Sequence, residues 1–129
     1  YDIDIVFATM GKEGSMAFYN GNEAVVPGFV TNKTIDATGA GDTFMACALG
    51  YILRMAGVYS ATQSGGGALV EITREWEPEN LFRGLDEYHL SDLLTYANAT
   101  ASLVTTRKGA LCVMPTREEI THYIVDNLE

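Results

Sequence analysis

Apolar positions along this chain fall into short blocks whose spacing changes from strand-like to helical. Ile5-Val6-Phe7-Ala8 is a continuous apolar run, the pattern of a strand buried on both faces as in a parallel sheet. A glycine-bearing loop follows, Thr9-Met10-Gly11-Lys12-Glu13-Gly14. Met16-Ala17-Phe18-Tyr19 and Glu23-Ala24-Val25-Val26 flank Asn20-Gly21. Asn-Gly between two short runs predicts a hairpin, because both residues tolerate positive φ. Pro27 and Gly28 end the pair.

From Gly41 the period becomes helical. Phe44, Cys47, Ala48, Tyr51, Ile52 and Met55 form one apolar stripe, and Gly57 is placed to be the C′ residue. Residues 58–89 read as a long excursion with little regular structure, although Ala68–Thr73 has strand character. Ser64-Gly65-Gly66-Gly67 reads as a flexible joint. Ser91 is expected to cap a helix reaching about Thr105. Thr106 through Ala110 breaks it, and a final helix begins at the capping box Thr116-Arg117-Glu118-Glu119. Ile120, Tyr123, Ile124 and Leu128 supply its inward face. The order is strand, hairpin, then three helices, which is half of an α/β layer.

Composition narrows the class. A chain of 129 residues with 47% apolar content supports one domain with a real core. No apolar run approaches the roughly 18 residues needed to cross a bilayer, and no signal segment opens the chain. The first residue, Tyr1, and the immediate entry into a strand suggest a piece of a longer protein. A net charge of −9 repels nucleic acid and anionic membranes, so neither is expected as a partner. Cys47 and Cys112 form no CxxC pair and read as small core residues, with a reducing cytoplasm as the default location. His89 and His122 lack metal-ligand companions.

One segment carries chemistry. Gly39, Ala40 and Gly41 sit directly ahead of the amphipathic helix. Without bulky side chains their N–H groups can converge on one point, and the helix N-terminus adds partial positive charge. The result is an anion site, suited to charge developing on a transferring phosphoryl group. Asp42 closes the turn, where a carboxylate can accept the proton of an attacking hydroxyl. Alone, Asp at a helix start is more often a simple cap; the wider context changes that balance.

Asp36-Ala37-Thr38-Gly39-Ala40-Gly41-Asp42-Thr43-Phe44 resembles the second signature of the ribokinase (PfkB-type) carbohydrate kinases, which phosphorylate a sugar hydroxyl with ATP and Mg²⁺. Three further stretches resemble the family in the same order. They are the loop Thr9-Met10-Gly11 to Gly14, the helix segment Tyr96-Ala97-Asn98-Ala99, and Thr106-Arg107-Lys108-Gly109-Ala110 followed by Pro115 to Ile120. The resemblance implies an α/β, ribokinase-like (Rossmann-like three-layer) fold, with residues 1–129 forming only the C-terminal, ATP-side portion. The sugar-binding and lid part would precede it.

Carried over by position, Asp42 would be the catalytic base and Gly39, Ala40 and Gly41 the anion hole. Thr9, Gly11, Gly14 and Asn98 would line the nucleotide. Asp36 resembles the residue beside a monovalent cation, typically K⁺, whose shell the carbonyls of Thr38, Arg107 and Gly109 would complete. Ala37, Cys47 and Val113 depart from the usual family residues, and residues 58–89 exceed the usual connection.

Bland readings compete at several positions. Gly11-Lys12 is not a Walker loop, because Glu13 follows the lysine, so Lys12 reads as a solvated loop residue. Asn98 can equally be a buried amide that ties two backbone segments together. Trp76 lies in an acidic stretch broken by Pro78, where it would cover an apolar patch or a partner surface. The leading expectation is a fructokinase-like sugar kinase whose partners are sugar and ATP. The isolated chain is expected to be inactive and, with exposed apolar surface, to form a homo-oligomer. The alternatives are an incomplete nucleotide-binding or assembly module, and a relative acting on a nucleoside or vitamin precursor.

Overall fold

The computed structural model describes residues 2–57, 59–64, 67–72, 81–108 and 115–128. Strands β1 (Ile5–Thr9), β2 (Ser15–Tyr19) and β3 (Asn22–Val26) form a sheet in that order. Asn20 and Gly21 turn the β2–β3 hairpin with φ of 46° and 78°, the doubly positive geometry expected of Asn-Gly. The parallel reading of the first strand is corrected: β1 pairs antiparallel with β2, Phe7 opposite Ala17. A short apolar run has no direction written into it. The tight loop over Gly11–Glu13, a single 3-10 turn, returns the chain beside itself.

One sheet face is covered and the other is open. Phe7, Ala17 and Ala24 share a row across the three strands, and Ala17 and Ala24 are buried. Two alanines in that row leave room for helices to approach closely. On the opposite face Val6 is 41%, Phe18 38% and Val25 55% exposed, the exposed apolar surface expected of an incomplete layer.

Helix α1 (Ala40–Met55) buries Phe44, Ala48 and Ile52 from the predicted stripe. Phe44 meets Phe7 edge to face, with ring centroids 6.3 Å apart. Burial raises the Cys47 thiol above its usual pKa, in keeping with a packing role. Gly57 ends the helix at φ 72°, its N–H donating to the Arg54 carbonyl at 3.0 Å.

Two corrections concern residues 58–89. A hairpin occupies much of the stretch, β4 (Tyr59–Ser64) antiparallel to β5 (Gly67–Ile72). Its polar first strand lacks the alternation that would announce it. Next, helix α2 (Glu87–Thr105) begins ahead of Ser91, because Asp86 is the cap. The Asp86 carboxylate accepts from the His89 N–H at 2.9 Å. Leu85 and Leu90, on either side of that cap, are both buried, the arrangement of a hydrophobic staple. Residues 65, 66, 76, 109, 110, 112 and 113 lie outside the described residues.

The α2 helix is the hub of the molecule. It packs on α1, β2, β3 and the last helix, α3 (Arg117–Leu128). Leu90, Leu93, Leu94 and Ala97 are fully buried. At about 1.5–3 kcal/mol for each large side chain, this one face outweighs any cap or surface pair. The Thr116 capping box forms as predicted. Glu119 N–H donates to Thr116 Oγ1 at 3.2 Å, and Thr116 N–H donates to Glu119 Oε2 at 2.7 Å. Arg107 adds an ion pair to Glu119 at 2.6 Å, which holds the end of α2 against the start of α3.

Candidate active site

The segment ahead of α1 is shaped by its own side chains. Thr38 N–H donates to Asp36 Oδ1 at 2.9 Å, an Asx turn that curls the chain. The Thr38 hydroxyl and N–H together hold the Asp36 carboxyl below the usual carboxylate range, with a smaller pull from Lys108. Asp36 is therefore ionised at neutral pH. Gly39 follows at φ 82°, in the left-handed region, and is the N-cap of α1. Ala40 N–H returns to the Ala37 carbonyl at 3.3 Å and Thr43 N–H to the Gly39 carbonyl at 2.9 Å. The N–H groups of Gly39, Gly41 and Asp42 find no acceptor among the described residues. Three donors thus cluster at the positive end of a 16-residue helix, the arrangement that receives an anion.

The whole turn is fastened to α2. Ile35 and Asp36 both donate their N–H to the Thr105 carbonyl, at 2.8 and 3.1 Å. Beneath the turn lies a cavity of about 440 Å³. It brings together Ala40 and Gly41 from α1, Thr9 from the end of β1, Gly11 and Gly14 from the loop after it, and Asn98 from α2. Gly39 and Asp42 flank the lining residues, Asp42 exposed on the first turn. Asp36, Thr38 and Arg107 are not part of the cavity wall, and Gly109 lies outside the described residues.

The loop wall depends on glycine. Gly14 has φ 112°, and a Cβ there would stand 2.0 Å from the Val26 carbonyl oxygen. A Cβ on Gly28 would stand 2.3 Å from the Lys12 carbonyl oxygen. Two backbone stretches therefore touch directly at this edge, and Lys12 sits at the rim. Asn98 is a cavity wall residue and also a tie between segments. It lines the cavity, while its amide accepts from Ser15 Oγ at 2.8 Å and donates to the Val26 carbonyl at 3.2 Å.

Other wall residues escaped the sequence reading: Phe29, Thr31, Thr34, Ala101, Ser102 and Thr105. A signal existed for three of them. Ala101, Ser102 and Thr105 stand three, four and seven residues after Asn98 on one helix face. Phe29–Thr34 carries no such period.

No cluster of three or more His, Cys, Asp or Glu suited to a metal occurs among the described residues. No helix among them is long and apolar enough to cross a membrane.

Rice (Oryza sativa subsp. japonica) fructokinase-2 is 29% identical over 114 residues, covering 88% of this chain and 26% of that protein. The fructokinase of Vibrio alginolyticus is 26% identical over 125 residues, covering 95% of this chain and 31% of that protein. The chain thus spans about a quarter to a third of the length of these relatives. Among solved structures, Giardia lamblia ribokinase superposes with a TM-score of 0.69 at 20% identity, over 95% of this chain and 32% of that one. A Vibrio cholerae O395 fructokinase double mutant, bound to fructose, ADP and potassium ion, superposes with a TM-score of 0.64 at 22% identity, over 95% and 31%. At such identities the structural likeness establishes the ribokinase-like α/β fold alone. The sequence pattern of the pfkB family carbohydrate kinases matches residues 2–117, and the chain belongs to that family.

Proposed function

We propose that this chain is the ATP-side portion of a carbohydrate kinase that transfers the γ-phosphoryl group of ATP to a sugar hydroxyl, fructose being the first sugar to test. The observation that carries the reading is the set of free N–H donors on Gly39, Gly41 and Asp42, at the edge of a cavity shared with Thr9, Gly11 and Gly14. Its place as the C-terminal portion of a longer enzyme rests on the order of the motifs. The fructokinase and ribokinase relatives support the substrate class.

Bound ATP would supply the phosphoryl group, with Mg²⁺ screening its charge. The backbone donors ahead of α1 hold developing negative charge on the transferred group, a contribution worth about 10²–10³ in rate per donor in comparable oxyanion sites. Asp42 takes the proton from the attacking hydroxyl as the new O–P bond forms and the bond from the γ-phosphorus to the departing ADP breaks, a step typically worth about 10²–10⁴. In this reading Thr9, Gly11 and Gly14 flank the nucleotide by backbone, and Asn98 forms its floor. Asp36, ionised and beside the turn, fits a monovalent cation such as K⁺, with the Thr38, Arg107 and Gly109 carbonyls as further oxygen ligands. A cytoplasmic location and a homo-oligomeric state belong to the same proposal.

A second reading is that the chain alone binds nucleotide without turnover. The open sheet face at Val6, Phe18 and Val25 favours it. One assay separates the two readings: ATP-dependent phosphorylation of fructose and ribose by this chain and by a kinase containing it, each with Asp42→Asn. Activity in the larger enzyme that collapses with the substitution supports the base. Activity that survives it removes Asp42 from that role, and turnover by the 129-residue chain itself removes the second reading.

A further inference from the structure

We propose that Tyr123, on the last helix, is a positioning residue for the nucleotide cavity, acting through Ser102 on Phe29; the proposal rests on reading that cavity as a nucleotide site. Ser102 Oγ donates to the Phe29 carbonyl oxygen at 2.7 Å. The same Oγ lies 3.0 Å from the Tyr123 hydroxyl. A serine hydroxyl has one proton, already given to Phe29, so Tyr123 is the donor in the second contact. The result is a directed relay from Tyr123 O–H to Ser102 O–H to the Phe29 carbonyl, in which each bond polarises the next. The rings of Phe29 and Tyr123 also pack, with centroids 5.7 Å apart and planes inclined by 38°.

The relay matters because of what Phe29 begins. Phe29, Val30, Thr31 and Thr34 line the cavity, yet this stretch belongs to neither helix nor strand. Its far end is held where Ile35 and Asp36 donate to the Thr105 carbonyl. Its near end is held by Ser102 at Phe29. Between them Lys33 N–H donates locally to Thr31 Oγ1 at 3.1 Å, and the Thr34 hydroxyl, 3.5 Å from that of Thr105, belongs to the far attachment. An irregular wall pinned at two points moves when one pin is removed. Tyr123 itself does not line the cavity, so it acts on the nucleotide only through this wall.

The test titrates ADP into the chain by calorimetry and follows amide hydrogen exchange at residues 29–34. The variants are Tyr123→Phe, which keeps the ring and removes the donor, Ser102→Ala, Ser102→Thr, and His122→Gln as an exposed control on the same helix. Losing one part-buried hydrogen bond corresponds to about a 5- to 10-fold effect. Tyr123→Phe should weaken ADP by that factor and speed exchange at residues 29–34, with the β2–β3 hairpin unchanged. Ser102→Ala should do more, and Ser102→Thr should restore both readouts. Exchange and affinity in Tyr123→Phe indistinguishable from the unaltered chain would overturn the relay. Failure of the unaltered chain to bind ADP would instead overturn the nucleotide assignment, while the exchange data still decide whether Tyr123 holds the wall.

Discussion

The Ser15 hydroxyl donates to the Asn98 side-chain oxygen across 2.8 Å inside the core. Ser15 and Val26 are register partners at the open end of the hairpin, and the Asn98 amide nitrogen also donates to the Val26 carbonyl. A single side chain on α2 thus fastens both hairpin strands and forms part of the cavity wall. Asn98→Ala strands the Ser15 hydroxyl and should cost about 1–3 kcal/mol, with Ser15→Ala costing less. In urea unfolding, the double variant should be less destabilised than the sum of the two, with a coupling of about 0.5–3 kcal/mol. Strict additivity would show that the bond does not join the two elements energetically.

Two glycines should respond in opposite ways. Gly14→Ala places a methyl 2.0 Å from the Val26 carbonyl at a φ of 112°, so the backbone must move. A loss of about 1–3 kcal/mol or more is expected, with nucleotide binding lost alongside. A Cβ at Gly41 meets nothing within 4 Å, and the residue lies in the first turn of α1. Gly41→Ala should leave stability unchanged or raise it by up to about 1 kcal/mol, while weakening ADP binding because the methyl enters the cavity edge. Thermal unfolding and calorimetry on both variants check this; a binding loss at Gly41 accompanied by unfolding would contradict it.

Asp42 is exposed on the first turn of α1. Its substitution by Asn removes a favourable charge at a helix N-terminus, worth about 0.3–1 kcal/mol. The fold should therefore survive with a small drop in melting temperature, whereas phosphoryl transfer in an enzyme containing this chain should fall by about 10²–10⁴. Equal losses of stability and activity across temperature would mean that Asp42 only favours the helix N-terminus by its charge.

Acid should weaken the fold at three named carboxylates. Thr38 lowers Asp36, the backbone and ring of His89 lower Asp86, and Thr116 with Arg107 lowers Glu119. A carboxyl held lower in the folded state than in the unfolded chain adds stability above the unfolded value, about pH 4. That stability is lost as the pH falls through the lowered folded values. Denaturation midpoints should be flat near neutrality and decline below about pH 4. Glu119→Gln should make that decline shallower and also loosen α3, since Glu119 both pairs with Arg107 and completes the capping box. An unchanged acid profile in that variant would exclude Glu119 as a contributor.

Much of this molecule was legible wherever a rule acts within a few residues. The stripe from Phe44 to Met55, the Asn20-Gly21 turn, the Gly57 stop and the Thr116–Glu119 box all formed as read. Each depends on backbone sterics or on a side chain meeting its own neighbouring backbone. The misreadings were of another kind. β1 looked parallel because a short apolar run carries no record of which strand lies beside it. Asp86 displaced Ser91 as the cap because Leu85 and Leu90 needed burial together. The β4–β5 hairpin has a polar strand whose pairing shows in backbone hydrogen bonds rather than composition.

The sequence by itself determined that Asp36 through Asp42 places small residues between two carboxylates at a helix start, and its resemblance pointed to the kinase family that residues 2–117 match. Only the tertiary structure decided what that turn faces. It is fastened to Thr105, opens on a cavity walled by Gly14, Phe29 and Ser102, and is backed through Ser102 by Tyr123. Those relationships join segments that are far apart along the chain. They are settled by which surfaces exclude water together and which buried polar atoms must be satisfied, and neither condition is written in any local run of residues.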